Sequence, residues 1–264
     1  MHLVTRRDFF RTIPAAALVP AFDARSSRQE AAGPNAIPAS FPRQDPGLAR
    51  EIVGASHGNL ARVRELVTAR PALARASWEW GYGDWETALG AASHVGHKEI
   101  AAVLLAAGAH MTVFCAAMLG HLEAVKAFVA AAPGIQRTRG PHGITLLDHA
   151  RAGKSDAVIS YVESLGDADP AYPSAPLLDG DPENLLGTYT FGTAADEKMI
   201  VGRNTRGALV VKREGEPDRN LFHHGARTFN PAGAEAVRIR FEPGGGRATT
   251  LLVDDGAVHL RAAR

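Results

Sequence analysis

A single cysteine stands in the 264 residues, so Cys115 has no internal partner and an oxidising compartment brings no disulfide staple. Its neighbour Ala116 reads it as a small core residue rather than a reactive thiol. Charge of one sign is also lacking. Twenty-nine basic residues balance 28 acidic ones for a formal net charge of +1. No Lys or Arg stripe forms, which argues against nucleic acid or an anionic membrane as partner. No apolar run reaches the ~20 residues that cross a bilayer, so no stable membrane association is expected once a leader is removed. Aromatics make up 6% of the chain, yet all three tryptophans fall between positions 78 and 85.

Catalytic groupings are equally scarce. There is no Gly-x-Ser-x-Gly, and the lone cysteine has no evident base. Gly244-Gly245-Gly246-Arg247 joins strands instead of opening a helix, so it fails as a phosphate loop. Asp254-Asp255 sits in a hairpin turn, where solvation explains it. His94-x-x-His97 places two imidazoles one turn apart with Glu99 close by, but Gly96 between them breaks the helix, and two nitrogens without a third and fourth ligand make no zinc site. His223 and His224 would point to opposite faces of a strand. Asp148 and His149 adjoin without facing each other, and His149 reads as a hydrogen-bonded core group. These absences lead to the expectation of a non-enzyme without cofactor or metal.

What the chain does have is a recurrent register. Gly58, Gly96, Gly120 and Gly153 are each followed by apolar residues at offsets five, eight and nine: Val63/Leu66/Val67, Ala101/Leu104/Leu105, Val125/Phe128/Val129 and Val158/Tyr161/Val162. Those offsets share one stripe of a 3.6-residue helix, so each glycine opens a helix with the same buried face. Small residues precede each glycine, which allows close approach of a preceding helix. A register repeated four times predicts units that bury their faces on one another.

Thr87-Ala88-Leu89-Gly90-Ala91-Ala92, Gly96-His97, Ile100, Leu104-Leu105 and Gly108-Ala109 resemble the ankyrin repeat. Cys115-Ala116-Ala117 with Gly120-His121, and Thr145-Leu146-Leu147-Asp148-His149-Ala150 with Gly153, resemble further copies. The glycine spacings are 38 (58 to 96), 24 (96 to 120) and 33 (120 to 153), of which the last equals the family period. The resemblance covers residues 45–166 and implies a stack that binds another protein. It places Trp78, Trp80, Tyr82 and Trp85 in the family's protruding finger, where clustered Trp and Tyr suit a recognition surface. An N-terminal cap over the first units is the competing reading of the same aromatics.

The first residues, Thr5-Arg6-Arg7-Asp8-Phe9-Phe10 followed by a weakly apolar run from 13 to 19, resemble a twin-arginine export signal. The resemblance implies a signal over 1–24 with Arg6 and Arg7 as its recognition pair, a disordered linker over 25–44, and a periplasmic or secreted protein.

After Gly166 the composition changes. Asp169-Pro170, Pro173, Pro176 and Asp181-Pro182 mark a linker over 167–184. Seven strands are expected at 187–191, 198–202, 208–212, 220–224, 236–241, 248–253 and 257–260. Alternation is clearest where Val237, Ile239 and Phe241 face one way and Arg238 and Arg240 the other. Leu186-Gly187-x-Tyr189 and Phe241-Glu242-Pro243-Gly244 are similar to small accessory β-domains appended to some serine-hydrolase relatives. The expected fold is therefore α+β in two domains: an N-terminal all-α ankyrin-like repeat stack, and over 185–264 an antiparallel sheet forming a partial barrel or sandwich. The expected function is a periplasmic, non-catalytic protein-protein adaptor. The alternative is small-molecule binding or sensing inside the β-domain, which an interior filled by Tyr189, Phe191, Phe222, Phe229 and Phe241 would exclude.

Overall fold

The structure is a computed structural model that describes residues 41–178, 180–194 and 197–264. The leader resemblance, with Arg6 and Arg7, lies outside the described residues. Gln44–Arg264 forms one compact unit, and every described helix and strand belongs to it. No described helix is long and apolar enough to cross a membrane.

Eight helices come in four short pairs: α1 (Pro46–Ala55) with α2 (Leu60–Ala69), α3 (Ala88–His94) with α4 (Lys98–Ala106), α5 (Val113–Leu119) with α6 (Leu122–Ala131), and α7 (Leu146–Ala152) with α8 (Asp156–Ser164). Threonine opens three of them. The hydroxyls of Thr87, Thr112 and Thr145 accept from the amides of Gly90, Cys115 and Asp148, satisfying donors a helix start leaves free. The glycine-register residues Val63, Ala101, Leu104, Val125, Val158 and Val162 are buried, whereas Phe128 is exposed.

The expectation of an all-α ankyrin-like stack is corrected in two respects. Strands β1 (Ser77–Glu79) and β2 (Trp85–Thr87) form an antiparallel hairpin within the helical half. Gly81, Tyr82 and Gly83 all have positive φ and turn the chain between them. The pairs also do not line up as an array in which each touches its neighbours alone. Helix α3 reaches past its sequence neighbour to α7: Ser93 Oγ lies 2.8 Å from His149 Nδ1, and a Cβ added at Gly96 would meet the Ala152 carbonyl oxygen at 2.2 Å. Gly153 in turn lies against the Met118 backbone at the end of α5. Three helices thus close on one another, and glycine is required where they touch.

The chain continues through α9 (Asp181–Leu185) into strands β3 (Gly187–Thr190), β4 (Lys198–Arg203), β5 (Leu209–Arg213), β6 (Arg219–Gly225), β7 (Thr228–Pro231), β8 (Arg238–Glu242), β9 (Thr250–Asp255) and β10 (Val258–Ala263). They make a closed barrel, not the partial barrel or sandwich expected, in the order β10-β3-β4-β5-β6-β7-β8-β9. All neighbouring pairs are antiparallel, and Ala263 opposite Thr190 completes the ring. Closure removes the sheet edges that an open sheet must protect. Strand β7 has no counterpart among the seven expected runs. It follows a two-residue turn at Ala226 and Arg227, both with positive φ, the backbone of a type I′ hairpin. Neither residue is the Asn or Gly that would announce it.

Inward residues alternate along the strands as a small barrel requires. Tyr189, Met199, Val201, Val211, Phe229, Ile239, Phe241, Leu251 and Val253 share one buried cluster. Tyr189, Phe229 and Phe241 meet edge to face in sequence. Phe191 is partly buried against this cluster, and Phe222 stacks outside it on Tyr172.

Candidate functional site

The helical cluster and the barrel meet at the β1–β2 hairpin. Tyr82 packs against the barrel core, and burial pushes its phenol up to about 12. Asp84 is 3% exposed at the side chain and pairs with Arg219 of β6, itself 7% exposed, at 2.7 Å. Arg219 also donates to the carbonyls of Ala232 and Trp80, both at 2.8 Å. The hairpin is thereby clamped between the two halves.

Behind this clamp lies a converging set of donors. The Glu86 carboxylate on β2 is fully buried. Trp80 Nε1 donates to its Oε2 at 2.8 Å. Three imidazoles surround it: His94 Nε2 lies 2.9 Å from Oε1, His142 Nε2 3.3 Å from Oε1, and His57 Nε2 3.5 Å from Oε2. One ligand atom from each of His57, Glu86, His94 and His142 lies within 4.8 Å of every other. The four come from the turn after α1, from β2, from the end of α3, and from a short 3-10 turn at Pro141–Gly143.

Two of the imidazoles are set by what their other nitrogen touches. His57 Nδ1 donates to the Gly54 carbonyl at 3.1 Å. His142 Nδ1 donates to Asp84 Oδ2 at 2.7 Å, and its backbone amide donates to Oδ1 at 2.9 Å. Both bonds leave Nε2 turned toward Glu86. His142 has φ of 59, a left-handed conformation that non-glycine residues adopt at a cost of order 1–3 kcal/mol. Burial opposes ionisation of Glu86, His142 and Asp84, and the neighbouring charges overcome it. Beside His142 and His94, Glu86 is held down to about 2. Beside Asp84 and Glu86, His142 is raised to about 9. Asp84 is lowered by His142 and Arg219.

His94 thus does join a polar cluster, although with His57, Glu86 and His142 instead of His97. Gly96 has φ of 75, and His97 becomes the N-cap of α4. His149 is fully buried against Ser93, while His223 bonds the Ala175 carbonyl and His224 bonds Asn230. Of the four aromatics expected to form a recognition surface, Trp78 and Trp80 pack on the helical core and Tyr82 on the barrel. Trp85 faces solvent, 64% exposed. It borders a groove of about 360 Å³ together with Asp84, Phe114, Arg139, Gly140 and Gly233. His57, His97, Lys98 and Lys154 line a separate open cleft of about 580 Å³.

No family model matches the chain. Segments of it do match curated proteins named pyrimidine/purine nucleoside phosphorylase. One from Vibrio atlanticus is 53% identical over 54 residues, 20% of this chain and 54% of that protein. One from Vibrio vulnificus is 41% identical over 58 residues, 22% of this chain and 58% of that protein. The chain spans about half the length of the curated relatives it matches. A solved structure of SurE with D-Leu aligns at a TM-score of 0.27 and 23% identity, over 44% of this chain and 28% of that one, too loose a superposition to inform the fold.

Relatives that bear the name of an enzyme overturn the expectation of a non-catalytic adaptor. The physical reason it failed is visible in the hairpin. Its aromatic finger is largely spent on joining two halves, and the cluster of His57, Glu86, His94 and His142, which sequence inspection did not find, is assembled behind it from distant segments.

Proposed function

We propose that this chain is an enzyme acting on nucleosides, splitting the bond between a pyrimidine or purine base and its pentose with inorganic phosphate as acceptor. The bond from C1′ to the base nitrogen breaks and one from C1′ to a phosphate oxygen forms. The base leaves with the bonding pair and takes up a proton. The observation that carries this reading is the 53% identity over 54 residues to a protein of that name.

The barrel interior is filled by Tyr189, Phe229 and Phe241, so the nucleoside is assigned to the surface groove beside the hairpin. At about 360 Å³ it has the size of a small-ligand site. Trp85 at its mouth offers a face on which a base can stack, worth roughly 1–3 kcal/mol per base.

The test is incubation of the full chain with pyrimidine and purine nucleosides, with and without phosphate, and chromatography of the products. Free base and pentose 1-phosphate should appear in equal amounts and only with phosphate. Trp85→Ala should raise KM about tenfold, the value of a lost stacking contact, with little change in kcat. No base released, or release indifferent to phosphate, refutes the reading.

A further inference from the structure

Two atoms of the polar cluster are buried with no hydrogen-bond partner, Glu86 Oε1 and His94 Nε2. They stand 2.9 Å apart, yet not in the direction a hydrogen bond needs. Leaving such groups unpaired in a buried place is costly, and two of them this close together ask for a common partner. Two donors on a tetrahedral ion at 2.0–2.1 Å stand roughly 3.3 Å apart. His94 and His142 Nε2 stand 2.9 and 3.3 Å from Oε1, His57 Nε2 stands 3.5 Å from the other carboxylate oxygen, and one ligand atom of each of the four lies within 4.8 Å of every other.

We propose that His57, Glu86, His94 and His142 bind one divalent first-row transition-metal ion, of the zinc or cobalt kind. Three imidazole nitrogens and one carboxylate oxygen suit such ions, whereas magnesium and calcium take oxygen donors. The surroundings have the form of a prepared site. The Gly54 carbonyl and Asp84 fix the outer nitrogens of His57 and His142, which orients Nε2 inward and raises its basicity. Trp80 occupies Glu86 Oε2 and leaves Oε1 to the metal. Arg219 in turn holds Asp84. His57 and His142 are 33% and 28% exposed at the side chain, so one side of the ion is open to solvent and can take water or a substrate oxygen. The inference rests on this geometry alone and stands whichever way the nucleoside assay falls.

The full chain, stripped with a chelator, is titrated with Co²⁺ and then Zn²⁺ by calorimetry and visible spectroscopy, with Mg²⁺ as control. One Co²⁺ per chain should bind, with d–d absorption that Zn²⁺ abolishes, and Mg²⁺ should give neither heat nor spectrum. His94→Ala and His57→Ala should each weaken Co²⁺ binding at least tenfold. Asp84→Asn should weaken it by about tenfold to a hundredfold. His97→Ala, at the position the sequence spacing would have chosen, should bind as the unaltered chain does. Circular dichroism confirms that each variant is folded. Should His94→Ala unfold, His57→Ala at the rim of the cluster decides. Absence of stoichiometric Co²⁺ uptake, wild-type affinity in His57→Ala, or a loss in His97→Ala equal to that in His57→Ala overturns the proposal. In any of those cases the cluster is a histidine–carboxylate network held by protons alone.

Discussion

Replacing Arg219 by alanine should cost about 4 kcal/mol, because its guanidinium serves one buried carboxylate and two half-buried carbonyls at the junction of the two halves. The side chains of Arg219 and Asp84 are 7% and 3% exposed and meet at 2.7 Å. Removing one member of a buried ion pair costs about 3–5 kcal/mol, since the other charge stays buried without its partner. The carbonyls of Ala232 and Trp80 lose their Arg219 donors as well, each worth about 1 kcal/mol. Asp84 keeps its bonds from His142, which holds the total near the middle of the range. Urea unfolding followed by circular dichroism measures the loss, and a lowering of Tm by roughly 10 °C should accompany it. The double variant with Asp84→Asn separates charge from packing: it should be less damaged than the sum of the two single variants, because no buried charge is left unpaired. Arg219→Lys keeps the charge but cannot span three acceptors with a fork, and should recover part of the stability. A cost for Arg219→Ala below about 1 kcal/mol, the value of an exposed pair, would show that solvent screens the junction and that the clamp is not a clamp.

Leu104→Ala should destabilise by about 2–5 kcal/mol, read by urea unfolding, because Leu104 is fully buried in the core shared by α1 to α5. Gly153→Ala should cost about 1–3 kcal/mol as overpacking does, and its thermal midpoint should fall although its own φ is ordinary: the new Cβ would meet the Met118 carbonyl oxygen at 1.9 Å. His149 is held down to about 3, first by burial and then by the neighbouring His94. The unfolded chain binds that proton near 6.5 and the folded chain does not. His149 therefore leaves stability intact above about pH 6.5 and removes about 1.4 kcal/mol per unit as pH falls toward 3. His149→Gln should flatten that slope when urea midpoints are compared between about pH 4 and 7, and an unchanged slope would assign it to other groups.

Local pattern carries a good part of the fold. The apolar stripe after each glycine marks the buried faces of α2, α4 and α8 and, through Val125 alone, that of α6, and threonine before Ala88, Val113 and Leu146 marks three helix starts, because helix periodicity and capping act within a few residues. Alternation in Val237, Ile239 and Phe241 marks the inward side of the barrel wall. The same locality explains the misses. A repeat register says that faces are buried but not on what, so α3 against α7 and the closing of the ring by β10 and β3 are beyond it. The turn at Ala226 and Arg227 adopts a backbone for which those residues give no signal. Nearness in sequence pairs His94 with His97, whereas its companions in space sit at positions 57, 86 and 142.

Composition and periodicity by themselves determined that residues 45–166 are rich in short amphipathic helices and that residues 185–264 alternate as strands, since both depend on the spacing of apolar side chains along the chain. How the hairpin is clamped to the barrel, and which histidines gather about Glu86, was decided by tertiary packing. Four donors on separate segments acquire a common centre only when burial forces those segments together, and no spacing rule along one strand or one helix contains that information.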